Sequence, residues 1–135
     1  MKNRTLAKDY LERAGHRLAA VELLLSRGAY ADVVREAQEA VELALKGLLR
    51  IAKIEVPRIH DVGDILLENR DRIPSEVRDH IEEFAQISHD MRRDRELAFY
   101  GSEDLTPSEF YRKADAERAL SQAASVLKRL QSLNV

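Results

Sequence analysis

Apolar residues recur every three or four positions from the start of the chain, a spacing that places them on one side of successive helices. Leu11, Ala14, Leu18, Val21 and Leu25 share a face of a helix expected from about Thr5 to Arg27, and Gly28 stands where a glycine stop belongs. Gly15 interrupts this helix; it costs roughly 1 kcal/mol against alanine or lets a second helix approach closely. A second helix is expected from about Tyr30 to Ile54. Val34, Ala37, Val41, Ala44, Leu45, Leu48 and Ala52 form its inward stripe, with Arg35, Glu39, Glu42, Lys46 and Arg50 largely off it. So many inward alanines bring neighbouring helices closer than leucine would. Pro57 closes the segment, because the residue before a proline resists the helical region.

A short third helix is expected after Asp61, which caps it, with Val62, Ile65 and Leu66 inward and Pro74 as the limit. Ser75 is expected to cap a fourth, from Glu76 to about Leu97, carrying Val77, Ile81, Phe84, Ile87, His89 and Met91. A fifth opens at Thr106-Pro107-Ser108-Glu109, where a proline in the first turn and an acidic residue favour initiation. Phe110, Ala116, Ala119, Leu120, Ala123, Val126, Leu127 and Leu130 continue it. No alternating β-branched run bounded by turn residues is present. The fold expected is all-α, an antiparallel up-and-down bundle of four to five helices forming one domain over residues 1–135.

Composition narrows the function. Lysine and arginine (22) nearly balance aspartate and glutamate (24), so RNA contact must come from a local cluster rather than a diffuse basic surface. With no cysteine, disulfides, thiolate zinc sites and thiol catalysis are excluded. The charged start MKNRTLAKDYLERAG has no apolar signal region, and no apolar run is long enough to span a bilayer, so a cytoplasmic protein is expected. No Gly-rich phosphate loop, nucleophile elbow or His-Glu-x-x-His motif occurs, and no cofactor is implied.

From Leu23 to Leu67 the residues fall in a recurring order: Gly28, Tyr30 and Asp32, then Gln38 and Glu42, then Lys46, then a loop with Pro57, His60 and Asp61. This order resembles the signature of HEPN domains, a prokaryotic family of helical nucleotide-binding modules. The resemblance implies a bundle that dimerises and often accompanies a minimal nucleotidyltransferase in a toxin–antitoxin pair. Active members are metal-independent ribonucleases in which an arginine is followed, after four to six residues, by histidine, frequently with a tyrosine two positions later. The imidazole serves as acid or base for attack by the ribose 2′-hydroxyl, and the guanidinium stabilises charge on phosphorus.

This chain offers Arg92, Arg93 and Arg95, followed by LAFYG. Counted from Arg93, Ala98 occupies the histidine position and Tyr100 the tyrosine position. Counted from Arg95, Tyr100 itself replaces the histidine, and a phenol titrating near ~10 is a poor proton shuttle. The preferred reading is therefore a binding module for nucleotide or RNA, with Arg92, Arg93, Arg95 and Tyr100 as the phosphate-facing set. The resemblance also makes Tyr100 a candidate acceptor of nucleotide transfer from the partner enzyme. The alternative is a metal-independent endoribonuclease using Arg93 with His60 or Tyr100. Both compete with a plain structural account, in which the arginines complement the negative end of a helix and Tyr100 plugs the bundle.

His60 is read first as a loop-fixing residue beside the Asp61 cap, and second as a groove residue that helps hold phosphate. Glu36, Glu39 and Glu42 recur on one helix and Glu76, His80 and Glu83 on another, but no Glu-x-x-His pair exists for a bundle metal site. A solvated face with pairs such as Glu42–Lys46 is preferred, and no metal is expected. His16 and His89 read as ordinary helix residues.

Overall fold

The computed structural model describes the backbone over residues 2–56, 61–100 and 105–133, and side chains over 4–56, 61–94 and 105–133. Helix α1 spans Lys2–Ser26, α2 Tyr30–Ile51, α3 Val62–Glu68, α4 Ser75–Arg78, α5 Ile81–Tyr100, α6 Pro107–Phe110 and α7 Lys113–Gln131, with a 3-10 turn at Arg70–Arg72. No strand occurs among the described residues. None of the described helices is long and apolar enough to cross a membrane.

Helix α1 ends as the glycine predicts. Gly28 takes φ +73°, its N–H donates to Leu25 O at 3.0 Å, and Ala29 N–H donates to Leu24 O at 3.0 Å. The chain reverses within three residues, and α2 packs back along α1. The close approach lies at Gly47 rather than Gly15. A Cβ on Gly47 would stand 3.3 Å from Leu11 Cγ and Cδ2 and 3.4 Å from the Ala7 carbonyl, whereas one on Gly15 meets only Gln131 Nε2 at 3.9 Å.

Helix α2 is the axis of the bundle. No residue from Val33 to Arg50 is exposed, so the charged positions expected to face solvent are half-covered by neighbours. Helices α1, α5 and α7 surround it, α3 leans on α5, and α7 also meets α1, while α5 and α7 barely touch. Their ends settle the direction of travel: Arg72, just before α4 and α5, bonds the end of α2, while Val34 near its start shares a groove with Asp94 toward the end of α5. Helix α5 is thus antiparallel to α2, and α7 antiparallel to α5, with Arg129 beside His80 and Tyr111 beside Asp94.

Two helices expected to be continuous are broken. Ser75 does not cap through its side chain, which bonds Glu76 instead, and α4 is one turn followed by a break at Asp79 and His80. Val77, Ile81 and Phe84 remain inward across that break, so the periodicity could not register it. A helix opens after Thr106 as expected, with Thr106 and Glu109 joined in a reciprocal capping box, yet α6 stops at Phe110, because Tyr111 and Arg112 are extended. The reason is tertiary: Tyr111 turns inward and its hydroxyl donates to Asp94 O at 2.5 Å. The register shifts accordingly, leaving Phe110, expected inside, 38% exposed and Tyr111 buried.

Helix α2 ends on a non-glycine in the left-handed region, Lys53 at φ 59°. Ile54 N–H donates to Leu49 O at 2.9 Å, and Arg72 Nη2 donates to Lys53 O at 2.7 Å, so the conformation is enforced from outside. A Cβ there costs about 1 kcal/mol. Lys53→Gly is expected to raise stability by roughly that amount in a urea titration; an unchanged or lower midpoint would show that the turn carries no strain.

Candidate functional site

Arg92 and Arg93 sit on adjacent positions of α5, so their side chains leave the helix about 100° apart and reach different neighbours. Arg92 turns toward α2 and the start of α3. Its Nη1 lies 3.3 Å from Asp61 Oδ2 and its Nε 3.7 Å from Glu42 Oε1. Asp61 meanwhile caps α3 by accepting from Gly63 N–H at 2.8 Å, as its position predicts. Glu42 therefore faces Arg92 across the α2–α5 contact, and Arg92 links three elements.

Arg93 faces the other way. Its side chain is 66% exposed, with Nε 3.6 Å from Asp94 Oδ1, and it lines a groove of about 280 Å³. Val34 of α2, Met91 of α5 and Ala119 of α7 form the apolar floor, and Phe110 and Tyr111 form an aromatic wall. Those two rings meet edge to face, centroids 5.0 Å apart at 70°. Asp94, Asp115, Arg118 and Gln122 complete the lining. Asp115 Oδ2 accepts from Arg112 N–H at 2.9 Å, starting α7, while its Oδ1 accepts from Arg118 Nη2 at 3.0 Å.

Tyr111 is a fixed wall of this groove. Burial first, then the carboxylates of Asp94 and Asp115, push its phenol up to about 12, against a smaller opposing pull from Arg93. It stays protonated and bonded to the Asp94 carbonyl at every ordinary pH, so it moves no proton.

Of the residues singled out from the sequence, Arg93 is at the groove and Arg92 is engaged elsewhere. Arg95, Ala98 and Tyr100 fall on the last turns of α5, and their side chains lie outside the described residues. His60 lies outside them altogether. Tyr111, Asp115 and Arg118 were missed by the sequence reading. Asp115 and Arg118, three apart on a helix, look like any surface pair, and Tyr111 occupies a position that helical phase assigns to solvent.

A second hollow, of about 430 Å³, continues between α5 and α7, lined by Glu83, Gln86, Ile87, Asp90, Ser121, Gln122 and Ser125. Beyond it α7 is tied to the residue just before α5: Arg129 Nη1 lies 3.1 Å from His80 Nε2, with His80 Nδ1 3.5 Å from Glu83 Oε2. An imidazole accepting at Nε2 carries its proton on Nδ1, toward Glu83. Of the carboxylates weighed as metal ligands, Glu36 pairs with Arg17 and Glu42 with Arg92. No group of three or more His, Cys, Asp or Glu among the described residues can hold a metal.

Beneath these surfaces two polar side chains are buried without a hydrogen-bond partner among the described residues. They are Gln38, through both amide atoms, and Ser88, through its hydroxyl. Gln38 stands one turn along α2 from Val34, on the same face.

In comparisons with known proteins, the family profile described as HEPN domain matches residues 7–133. No curated protein and no solved structure matches the chain.

Proposed function

Since the chain belongs to the HEPN domain family, we propose that it acts as a nucleotide- or RNA-binding helical module whose ribonuclease motif has lost its proton carrier. The observation that carries this reading is Arg93. It opens onto a groove of about 280 Å³, while the position five residues further along α5, where the resemblance calls for histidine, is Ala98. A guanidinium can hold a phosphate in two-pronged fashion, but a methyl group transfers no proton. The family resemblance adds Arg95 and Tyr100, further along the same helix, to the proposed phosphate-facing set, whereas Arg92 is held away from the groove by Asp61 and Glu42.

The module works as a homodimer beside a minimal nucleotidyltransferase of a toxin–antitoxin pair, an assignment that rests on family membership alone. Light scattering of the protein, with and without such a partner, reads both points: a monomer mass at micromolar concentration that is unchanged on mixing removes them.

The purified protein incubated with RNA in EDTA should leave the RNA intact, while RNA or mononucleotide raises its melting temperature and Arg93→Ala reduces that rise. Chelator-resistant cleavage abolished by Arg93→Ala would establish the ribonuclease reading instead, with His60 or Tyr100 as its second residue.

A further inference from the structure

We propose that the groove between α5, α6 and α7 holds a single terminal nucleoside phosphate, clamped by Arg93 and Arg118 and stacked on Phe110. The proposal rests on the phosphate-binding reading above and adds the ligand's class, its size and a second cation from another helix.

Three features argue for this ligand. The groove has two chemically different parts: guanidiniums from α5 and α7, and an aromatic ring beside an apolar floor. A phosphate tied to a flat ring is the compact ligand that satisfies both at once. Next comes availability. Arg93 makes only a 3.6 Å ion pair and Arg118 one bond of 3.0 Å, so most of the five N–H donors on each meet no acceptor among the described residues. Phe110 is likewise an exposed large apolar side chain on a short helix beside them.

Size and charge then set the limits. About 280 Å³ falls just below the roughly 300–1,000 Å³ usual for ligand pockets, room for one nucleotide and not for a folded strand. Asp94 and Asp115 cancel the two arginines, so the lining is neutral overall. One phosphate can displace a carboxylate from a guanidinium, and the freed carboxylate then accepts from a ribose hydroxyl. A triphosphate brings further negative charge that both aspartates repel. The site therefore favours a monophosphate over a triphosphate.

The same chemistry is presented by a free mononucleotide and by the 5′-phosphorylated end of an RNA. Calorimetric titration separates them, with AMP, ATP, inorganic phosphate, and a short RNA carrying either a 5′-phosphate or a 5′-hydroxyl. AMP should bind more tightly than ATP, and Arg118→Ala should weaken AMP roughly tenfold or more. Phe110→Ala should weaken AMP and leave inorganic phosphate unchanged. Preference for 5′-phosphorylated over 5′-hydroxyl RNA, at an affinity matching AMP, identifies the chain end as the natural source; AMP alone identifies the free nucleotide.

Both substituted side chains are exposed, so the variants fold, and circular dichroism checks it. If Arg93→Ala weakens AMP while Arg118→Ala and Phe110→Ala do not, the groove assignment is overturned and the binding role of α5 stands. If no phosphate-bearing probe binds, both are overturned.

Discussion

Phe84→Ala is expected to remove about 3–5 kcal/mol of folding free energy, the largest loss foreseen for any single truncation in this bundle. Phe84 is among the largest fully buried side chains and is inaccessible to solvent. It belongs to the core cluster and is carried by α5, which packs against α2 and α3. A phenyl ring deleted there leaves a cavity that neighbours held by their own helices cannot collapse into, so the lost transfer energy and the cavity cost add. Domains of this size are stable by only about 5–15 kcal/mol, so the variant should be near the edge of folding at 37 °C. Urea unfolding should show a lower midpoint at an unchanged slope. Phe110→Ala, at a half-exposed ring, should cost under about 1 kcal/mol and serves as the contrast. Equal losses for the two would mean that α5 is not seated as described. The comparison bears on function, because α5 carries Arg93, and a loosened α5 cannot hold it opposite Arg118.

The same two rings show what the chain's pattern reveals and what it hides. Inward stripes such as Val41–Leu45–Leu48 or Ala119–Ala123–Val126 are legible because helix geometry alone places them on one face. Gly28 and Asp61 are legible for a related reason: left-handed backbone and a side-chain cap are local needs met by particular residue types. The exchange of Phe110 for Tyr111 is set by a bond between Tyr111 and the Asp94 carbonyl, seventeen positions away, and no local pattern encodes it. The candidate site divides along the same line. Arg93 was recognisable from its place in a motif, whereas Arg118 lines the same groove only because α5 and α7 both pack against α2 and run antiparallel to each other. Arg92, identical in type and adjacent in sequence, is drawn to Asp61 and Glu42 by the direction in which a helix projects it. Side-chain chemistry nominates residues, and topology selects among them.

Gln38→Met should stabilise the protein by about 1–3 kcal/mol, the opposite of the usual result for a core substitution. Gln38 is 1% exposed, and neither its Nε2 nor its Oε1 meets a partner among the described residues. Folding strips both atoms of water and returns nothing, a penalty carried by the native state alone. Methionine has nearly the same length and volume, is flexible enough to follow the same path between α2 and its neighbours, and removes both polar atoms. The gain should appear as a rise of several degrees in melting temperature, on the order of 3–4 °C per kcal/mol for a chain of this length. A destabilised variant would show that the amide is paired through an internal water bridging it to the backbone, since only a satisfied polar group is costly to delete. The sign of the change therefore distinguishes an orphaned amide from a hydrated one. Because Gln38 shares its face of α2 with Val34 in the groove floor, titrating the stabilised variant with AMP measures at the same time how far the tolerance of that buried amide is tied to what the groove holds.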